Sequence, residues 1–380
     1  MKQGGKKLLP LAKENNKNNK NNKNNKDNEY RNNYENNYNN HSNHSNKYRT
    51  NKSIIKYLSK EIREILERAN LEEFQCLEEI RLRAGKPLII QDYANEWFVD
   101  YEGNITRNVK NPFIVKQQEI HNTIEIMSKN SIYAFQDEIK NGFMTLAGGH
   151  RIGISGKVIL EDGKIVNIKE FSSLNIRISK AVEGCSLKAL KYIVNRKNNN
   201  VYNTLIVSPP QCGKTTLLRD LTRVLSNGIS EMDLKGMKIG LVDERSEIAA
   251  CYRGMPQFDV GTRTDVLDAC PKPLGMIMMV RSMSPQVIIT DEIGDKGDKD
   301  SIETILNAGV KLVASAHGYN ISELKSRREV LALIEGHVFE RYIVLSCAEG
   351  PGTIEEVVDG SNMEILYKRN EYKERGFLCY

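Results

Sequence analysis

The stretch Val201-Tyr-Asn-Thr-Leu-Ile-Val-Ser-Pro-Pro-Gln-Cys-Gly-Lys-Thr-Thr216 runs an apolar strand into a short loop, then into the amphipathic segment Thr216-Leu-Leu-Arg-Asp-Leu-Thr-Arg-Val-Leu225. This is the layout of a nucleoside-triphosphate phosphate loop. Loop amides and the helix N-terminus surround the phosphates, the lysine faces the β/γ oxygens, and the following hydroxyl ligates Mg²⁺. The expected ATP contacts are Ser208, Pro209, Pro210, Gln211, Cys212, Gly213, Lys214, Thr215 and Thr216, with Thr215 on the metal. The first glycine of the motif is replaced by Ser208. That replacement costs roughly 1 kcal/mol only if the position needs a positive φ. Pro209 and Pro210 stiffen the loop and favour an extended Ser208, which any residue tolerates.

A second element follows, with Asp291 77 residues beyond Lys214. Gln286-Val-Ile-Ile-Thr-Asp-Glu-Ile-Gly294 reads as a buried strand ending in adjacent carboxylates, expected beside the phosphate-loop strand. Asp291 is placed in the Mg²⁺ shell, and Glu292 is the candidate to orient and deprotonate the attacking water. A further strand, Lys311-Leu-Val-Ala-Ser-Ala-His317, ends in a polar residue suited to sensing the γ-phosphate. No arginine neighbours the phosphate loop or the acidic strand ends in a position that must reach a γ-phosphate. An arginine from a neighbouring subunit is therefore expected.

The chain of 380 residues allows two domains. Its first 50 residues contain 17 Asn, with 11 Lys+Arg against 4 Asp+Glu, a composition that buries no core and reads as disordered. That segment carries +7 of a whole-chain charge of +6, so residues 51–380 sum to −1. The basic balance belongs to the tail, and the remainder offers no evidence of a nucleic-acid surface. No apolar run approaches transmembrane length, and the N-terminus lacks the apolar core of a secretory signal. Seven scattered cysteines (76, 185, 212, 251, 270, 347, 379) without a Cys-x-x-Cys pair argue for reduced thiols in the cytoplasm and against a zinc site.

Apolar residues at helical spacing (Ile54, Ile55, Leu58, Ile62, Ile65, Leu66) predict a helix over 53–70. Strand signals follow at 78–90, 97–99 and 103–105, helix at 116–127 and 133–141, and strand–hairpin signals over 142–178 with Asp162-Gly163 as a turn. These make a smaller α+β domain over 53–180, then a linker helix within 181–199. From 200 onward strands (201–207, 237–243, 286–291, 311–316) alternate with helices (214–226, 271–283, 299–308), the pattern of a parallel sheet covered by helices. Short strands with a hairpin at Asp359-Gly360 close the 200–380 domain.

Several long motifs in order then point to one family. Glu79-Ile-Arg-Leu-Arg-Ala-Gly-Lys-Pro-Leu88, Gly148-Gly-His-Arg-Ile-Gly-Ile-Ser-Gly156, Ser173-Leu-Asn-Ile-Arg-Ile178, Leu241-Val-Asp-Glu-Arg-Ser-Glu-Ile-Ala249, Gly261-Thr-Arg-Thr-Asp265 and Arg281–Gly294 together resemble stage III sporulation protein AA. The resemblance spans about 53–370. It implies an ATPase of a channel joining mother cell and forespore, similar to the ring-forming, typically hexameric ATPases of type II and type IV secretion. The implied fold is a RecA-like P-loop ATPase domain preceded by a smaller α+β domain. The implied setting is the cytoplasm, at the membrane through embedded partner proteins. Glu244 then lies in an acidic box and competes with Glu292 as general base, with an ion pair to Arg245 as its plainer role. His317 matches a His box. Arg151, Arg177, Arg263 and Arg281 become candidates to neutralise phosphate charge, within a subunit or across a subunit boundary. The family loop usually carries glycines where Ser208 and Gln211 stand here.

Overall fold

The computed structural model describes residues 54–369 apart from 70, 72–76, 93–94, 109, 130, 132–134 and 197. The Asn/Lys-rich tail, Cys76, Tyr133 and Cys379 lie outside the described residues. Two large sheets carry the described fold.

The first is antiparallel and built from β1 (Glu79–Arg83), β2 (Ile89–Gln91), β3 (Glu96–Val99), β4 (Ile105–Thr106), β5 (Phe143–Thr145), β6 (Arg151–Glu161) and β7 (Lys164–Arg177), in the order β4-β3-β2-β1-β7-β6-β5. Alternation sets its faces: Ile80 and Leu82 are fully buried while Glu79, Arg81 and Arg83 between them are half-exposed. Helix α1 (Lys60–Arg68) adds Ile62, Ile65 and Leu66 to the same core. The β6–β7 hairpin turns at Asp162-Gly163, both with positive φ, as a tight hairpin requires.

The second sheet contains β8 (Thr204–Ser208), β9 (Ile239–Asp243), β10 (Thr264–Asp268), β11 (Val287–Thr290), β12 (Lys311–His317), β13 (Arg341–Ser346), β14 (Thr353–Asp359) and β15 (Ile365–Lys368). Its order is β10-β9-β11-β12-β8-β13-β14-β15, parallel from β10 through β13 and antiparallel at the last two junctions. Apolar clusters lie on both faces, as buried parallel strands demand. The helices α2 (Leu187–Ile193), α3 (Lys214–Asn227), α4 (Lys272–Met283), α5 (Asp298–Asn307) and α6 (Arg328–Glu335) accompany these strands. This is a RecA-like P-loop α/β sheet, with the phosphate loop leaving an interior strand.

Two expectations need correction, and one strand was not predicted. The acidic strand β11 does not lie beside the phosphate-loop strand β8, because β12 pairs with both and separates them. The linker helix shrinks to Leu187–Ile193, since Gly184 takes a φ of +80° and the chain before it is held by side chains rather than by helical bonds. The edge strand β10 went unread, because its sequence, Thr264-Asp-Val-Leu-Asp268, is half polar and half-exposed.

The phosphate-loop helix α3 also fastens the linker. Asp220 accepts from the Gly184 and Ser186 amides and from the Ser186 hydroxyl (2.6–3.0 Å). Arg219, nearly buried, donates to the carbonyls of Ile248, Lys180 and Glu247 at 2.7, 2.8 and 2.6 Å and stacks on Phe258. Phe258 in turn packs against Gly149 of the turn before β6, where a Cβ would come within 2.9 Å of its ring. Burial pulls the guanidinium down to about 10, which leaves it charged at neutral pH. Arg219→Ala strands three carbonyls and should cost about 3 kcal/mol in urea unfolding. Arg219→Lys should recover little, since an ammonium lacks the three-way fork. A loss below about 1 kcal/mol would contradict the clamp.

Candidate nucleotide site

Ser208 is the buried last residue of β8, an extended strand position in register with His317 of β12. Serine there is unstrained, as the two prolines suggested. The left-handed residue in the loop is Gln211, at φ +60°. A glycine would be relaxed at that position, and glutamine costs on the order of 1 kcal/mol. Gly213 follows at φ +86° as the N-cap of α3, with no side chain capping the helix, so its first amides remain open to an anion. The Lys214 Nζ lies 3.4 Å from the Ser208 carbonyl, arched back over the loop.

The β13–β14 connection straps this loop from outside. The Gly352 amide donates to the Cys212 carbonyl (2.9 Å), and the Cys347 thiol reaches the Gln211 carbonyl (3.8 Å). A Cβ on Gly213 would meet the Gly352 nitrogen at 2.9 Å. Nothing in the sequence pairs these segments, which lie more than a hundred residues apart.

Asp291 stands past the end of β11, nearly buried, and its Oδ1 has no hydrogen-bond partner. Burial, reinforced by Asp243, pushes its carboxyl up to about 7 against the pull of Lys272. A buried carboxylate with an orphaned oxygen fits a cation ligand. Thr215, in the first turn of α3, is the second residue suited to that ion.

The turn after β9 distributes the remaining charges. Asp243 is fully buried, and its two oxygens accept the amides of Glu247, Ile248 and Ala249 at 2.8–3.0 Å. Its role is to fold the turn. Glu244 pairs with Lys272 at 2.5 Å, so its expected ion pair to Arg245 is corrected. Lys272 is itself nearly buried and lies 3.6 Å from Asp295. Arg245 instead reaches Glu292 (Nη1–Oε2 3.2 Å), and the other Glu292 oxygen lies 3.6 Å from His317 Nε2. Burial, followed by the charge of Lys214, holds the His317 imidazole below its usual range, hence neutral at pH 7, although Glu292 opposes the shift.

The arginines divide. Arg151 opens β6 opposite Arg177 of β7, stacks on Phe143 and donates to Glu247 at 2.8 Å. Arg177 is largely exposed, 3.9 Å from Glu79. Both therefore stand where the first sheet meets the acidic turn. Arg263 precedes β10 at the opposite end of the strands and donates to the Ser226 carbonyl. Arg281 is exposed on α4, nine residues beyond Lys272, or roughly 14 Å along the helix. Within one subunit neither Arg263 nor Arg281 joins the site. The residues brought together are Lys214, Glu292 and His317, with Glu244 and Asp291 beside them. Among the arginines of the described residues, Arg245 stands beside the acidic strand ends, 3.2 Å from Glu292.

Residues 48–365 match the family described as "Sporulation stage III, protein AA". The chain belongs to this family. It is 40% identical over 306 residues to Stage III sporulation protein AA of Bacillus subtilis (strain 168), covering 80% of this chain and 94% of that one. Among solved structures it is similar to the ATPase DotB of Legionella pneumophila (TM-score 0.46, 14% identity, covering 78% of this chain and 79% of that one). It is also similar to the pilus retraction motor PilT with bound ADP (TM-score 0.44, 13% identity, covering 70% and 74%). The fold assignment stands on the sheet order and loop geometry above.

The raised Asp291 carboxyl has a stability consequence. Its folded value, about 7, exceeds the ordinary 3.8, so its contribution is fully present below about pH 4 and is lost as pH rises through 7. The loss is on the order of 4 kcal/mol. Without divalent metal, the unfolding free energy should fall more steeply from pH 5 to 8 in the parent than in Asp291→Asn. Added Mg²⁺ should flatten the parent's slope and leave the variant's unchanged. Equal slopes without metal would remove the cation-ligand argument.

Proposed function

We propose that this protein is a Mg²⁺-dependent ATPase that powers or gates a sporulation channel between mother cell and forespore. The observation that carries the reading is the convergence of Lys214, Glu292 and His317 on adjacent strand ends around an uncapped helix N-terminus. Family membership supplies the sporulation setting.

In this reading residues 53–180 are an N-terminal domain, 181–199 a linker, and 200–380 the motor. The loop 208–216 binds the phosphates, Lys214 takes the β/γ oxygens, and Thr215 with Asp291 holds Mg²⁺. Bound there, the ion neutralises phosphate charge. Glu292 takes the proton of the attacking water, His317 reports on the γ-phosphate, and Glu244 supports the acidic shell through Lys272. Arg151 and Arg177 serve a site shared with a neighbouring copy in a ring, proposed as a hexamer. No helix among the described residues is long and apolar enough to cross a membrane, which suits action through membrane-embedded partners.

A nucleotide-binding scaffold with little turnover is the second reading, favoured by the strained Gln211 and by the ion pair occupying Glu292. One experiment separates them. Lys214→Ala should weaken binding of a fluorescent ATP analogue by about 2–3 kcal/mol. Glu292→Gln should bind at least as tightly as the parent and hydrolyse at least about 10²-fold more slowly. Parental binding without measurable steady-state hydrolysis selects the scaffold. Unchanged affinity in Lys214→Ala removes the phosphate-loop assignment.

A further inference from the structure

We infer that Arg245 is a catalytic arginine supplied in cis, which clasps Glu292 when no triphosphate is bound and moves to the γ-phosphate when one is. The inference rests on the ATPase reading above.

The turn geometry comes first. Asp243 pins the backbone of 247–249 through three amide bonds, and Ser246 takes a left-handed φ of +53°. Between these fixed points Arg245 is thrown outward while Glu244 and Glu247 are tied to Lys272 and Arg151. Of the three charged side chains in this turn, Arg245 has the most exposed one, with 57% of its surface accessible. A side chain that free, on a backbone that rigid, can exchange partners without moving the turn.

Its present partner is the second point. Arg245 holds one oxygen of Glu292, and the other faces His317. One oxygen of the candidate base is therefore ion-paired, and the other has only the imidazole 3.6 Å away. Glu292 also lies close enough to Lys214 for its charge to act on that ammonium. Arg245 thus already stands at the phosphate end of the site, with one carboxylate as counter-ion. A terminal phosphate carries more charge than one carboxylate, and its planar sets of oxygens suit a guanidinium fork. Binding the triphosphate transfers the arginine from Glu292 to the phosphate. This frees the carboxylate oxygen at the moment a water must be deprotonated.

The step then balances. The water oxygen bonds to Pγ and its proton passes to Glu292. The bond from Pγ to the β,γ-bridging oxygen breaks with its electron pair going to ADP, and Arg245 stabilises the charge on the transferring phosphoryl oxygens.

The test uses the full chain, with ATP and ADP affinities measured beside turnover. Arg245→Ala should bind ADP like the parent, bind ATP about 10-fold more weakly, and hydrolyse it about 10²-fold or more slowly. Arg245→Lys should keep ATP affinity within a few-fold yet remain slow, which separates phosphate contact from misfolding. Glu292→Gln should bind ATP more tightly than the parent, and the gain should vanish in Arg245→Ala/Glu292→Gln. Mixing Arg245→Ala with Lys214→Ala chains should restore no activity, because both residues serve one chain's site. Equal loss of ADP and ATP affinity, parental turnover in Arg245→Ala, or recovery on mixing would each overturn the proposal while the ATPase reading stands. A parent that binds neither nucleotide would overturn both.

Discussion

The fully buried carboxylate of Asp243 is the constraint on which the site depends. It ends β9 inside the protein, where three successive amides of the following turn would otherwise lie unsatisfied at a cost of about 1–3 kcal/mol each. By accepting all three, it fixes a turn whose side chains leave in different directions. Glu244 goes to the buried Lys272 of α4, Arg245 to Glu292 past the end of β11, and Glu247 to Arg151 of the first sheet. One acidic residue without catalytic chemistry thereby connects the parallel sheet's second strand, its acidic strand and the antiparallel sheet. The Glu247 carbonyl also receives Arg219 from the phosphate-loop helix. The turn is thus tied to the helix that follows the phosphate loop.

The phosphate loop is supported from the other side by sequence far away from it. Gln211 sits in a backbone region that favours glycine, and the loop carbonyls at 211 and 212 are engaged by Cys347 and Gly352. The absence of a side chain at Gly213 is what lets Gly352 approach. A loop that carries strain needs surroundings that hold its shape, and the β13–β14 strap supplies them.

The parallel sheet was legible because its signals are local. Buried parallel strands read as continuous apolar runs, and the helices between them keep their period. The phosphate loop and the acidic strand end were legible because their chemistry is contiguous in sequence. Pairings made between elements were not. That β12 separates β8 from β11 depends on sheet order, which no local pattern encodes. That Glu244 chooses Lys272 over the adjacent Arg245 depends on α4 delivering an ammonium from 28 residues away. Arg263 and Arg281 looked equivalent to Arg151 and Arg177 as sequence. Strand direction puts Arg263 at the far end of the sheet and helix length carries Arg281 away. A lysine opening a helix, as Lys272 does, gave no signal because its partners come from three segments.

The charge layout that results is polar along the strand ends. Around β9 and β11, Glu244, Asp291, Asp295 and Asp298 gather about Lys272, whose ammonium stays charged because, against the burial penalty, Glu244 and its neighbours win. One buried lysine does not balance those acids, and the orphaned oxygens of Asp291 and Asp298 show where compensation is missing. Toward β8 and β12 the sign reverses: Lys214, Arg245 and Arg327 act together on the neutral imidazole of His317, with Glu292 at the boundary. A divalent cation and a chain of phosphates carry these two signs in the same order. Glu292 stands where they meet, and its contact with Arg245 is the ion pair that the proposal above has exchanged when such a ligand enters.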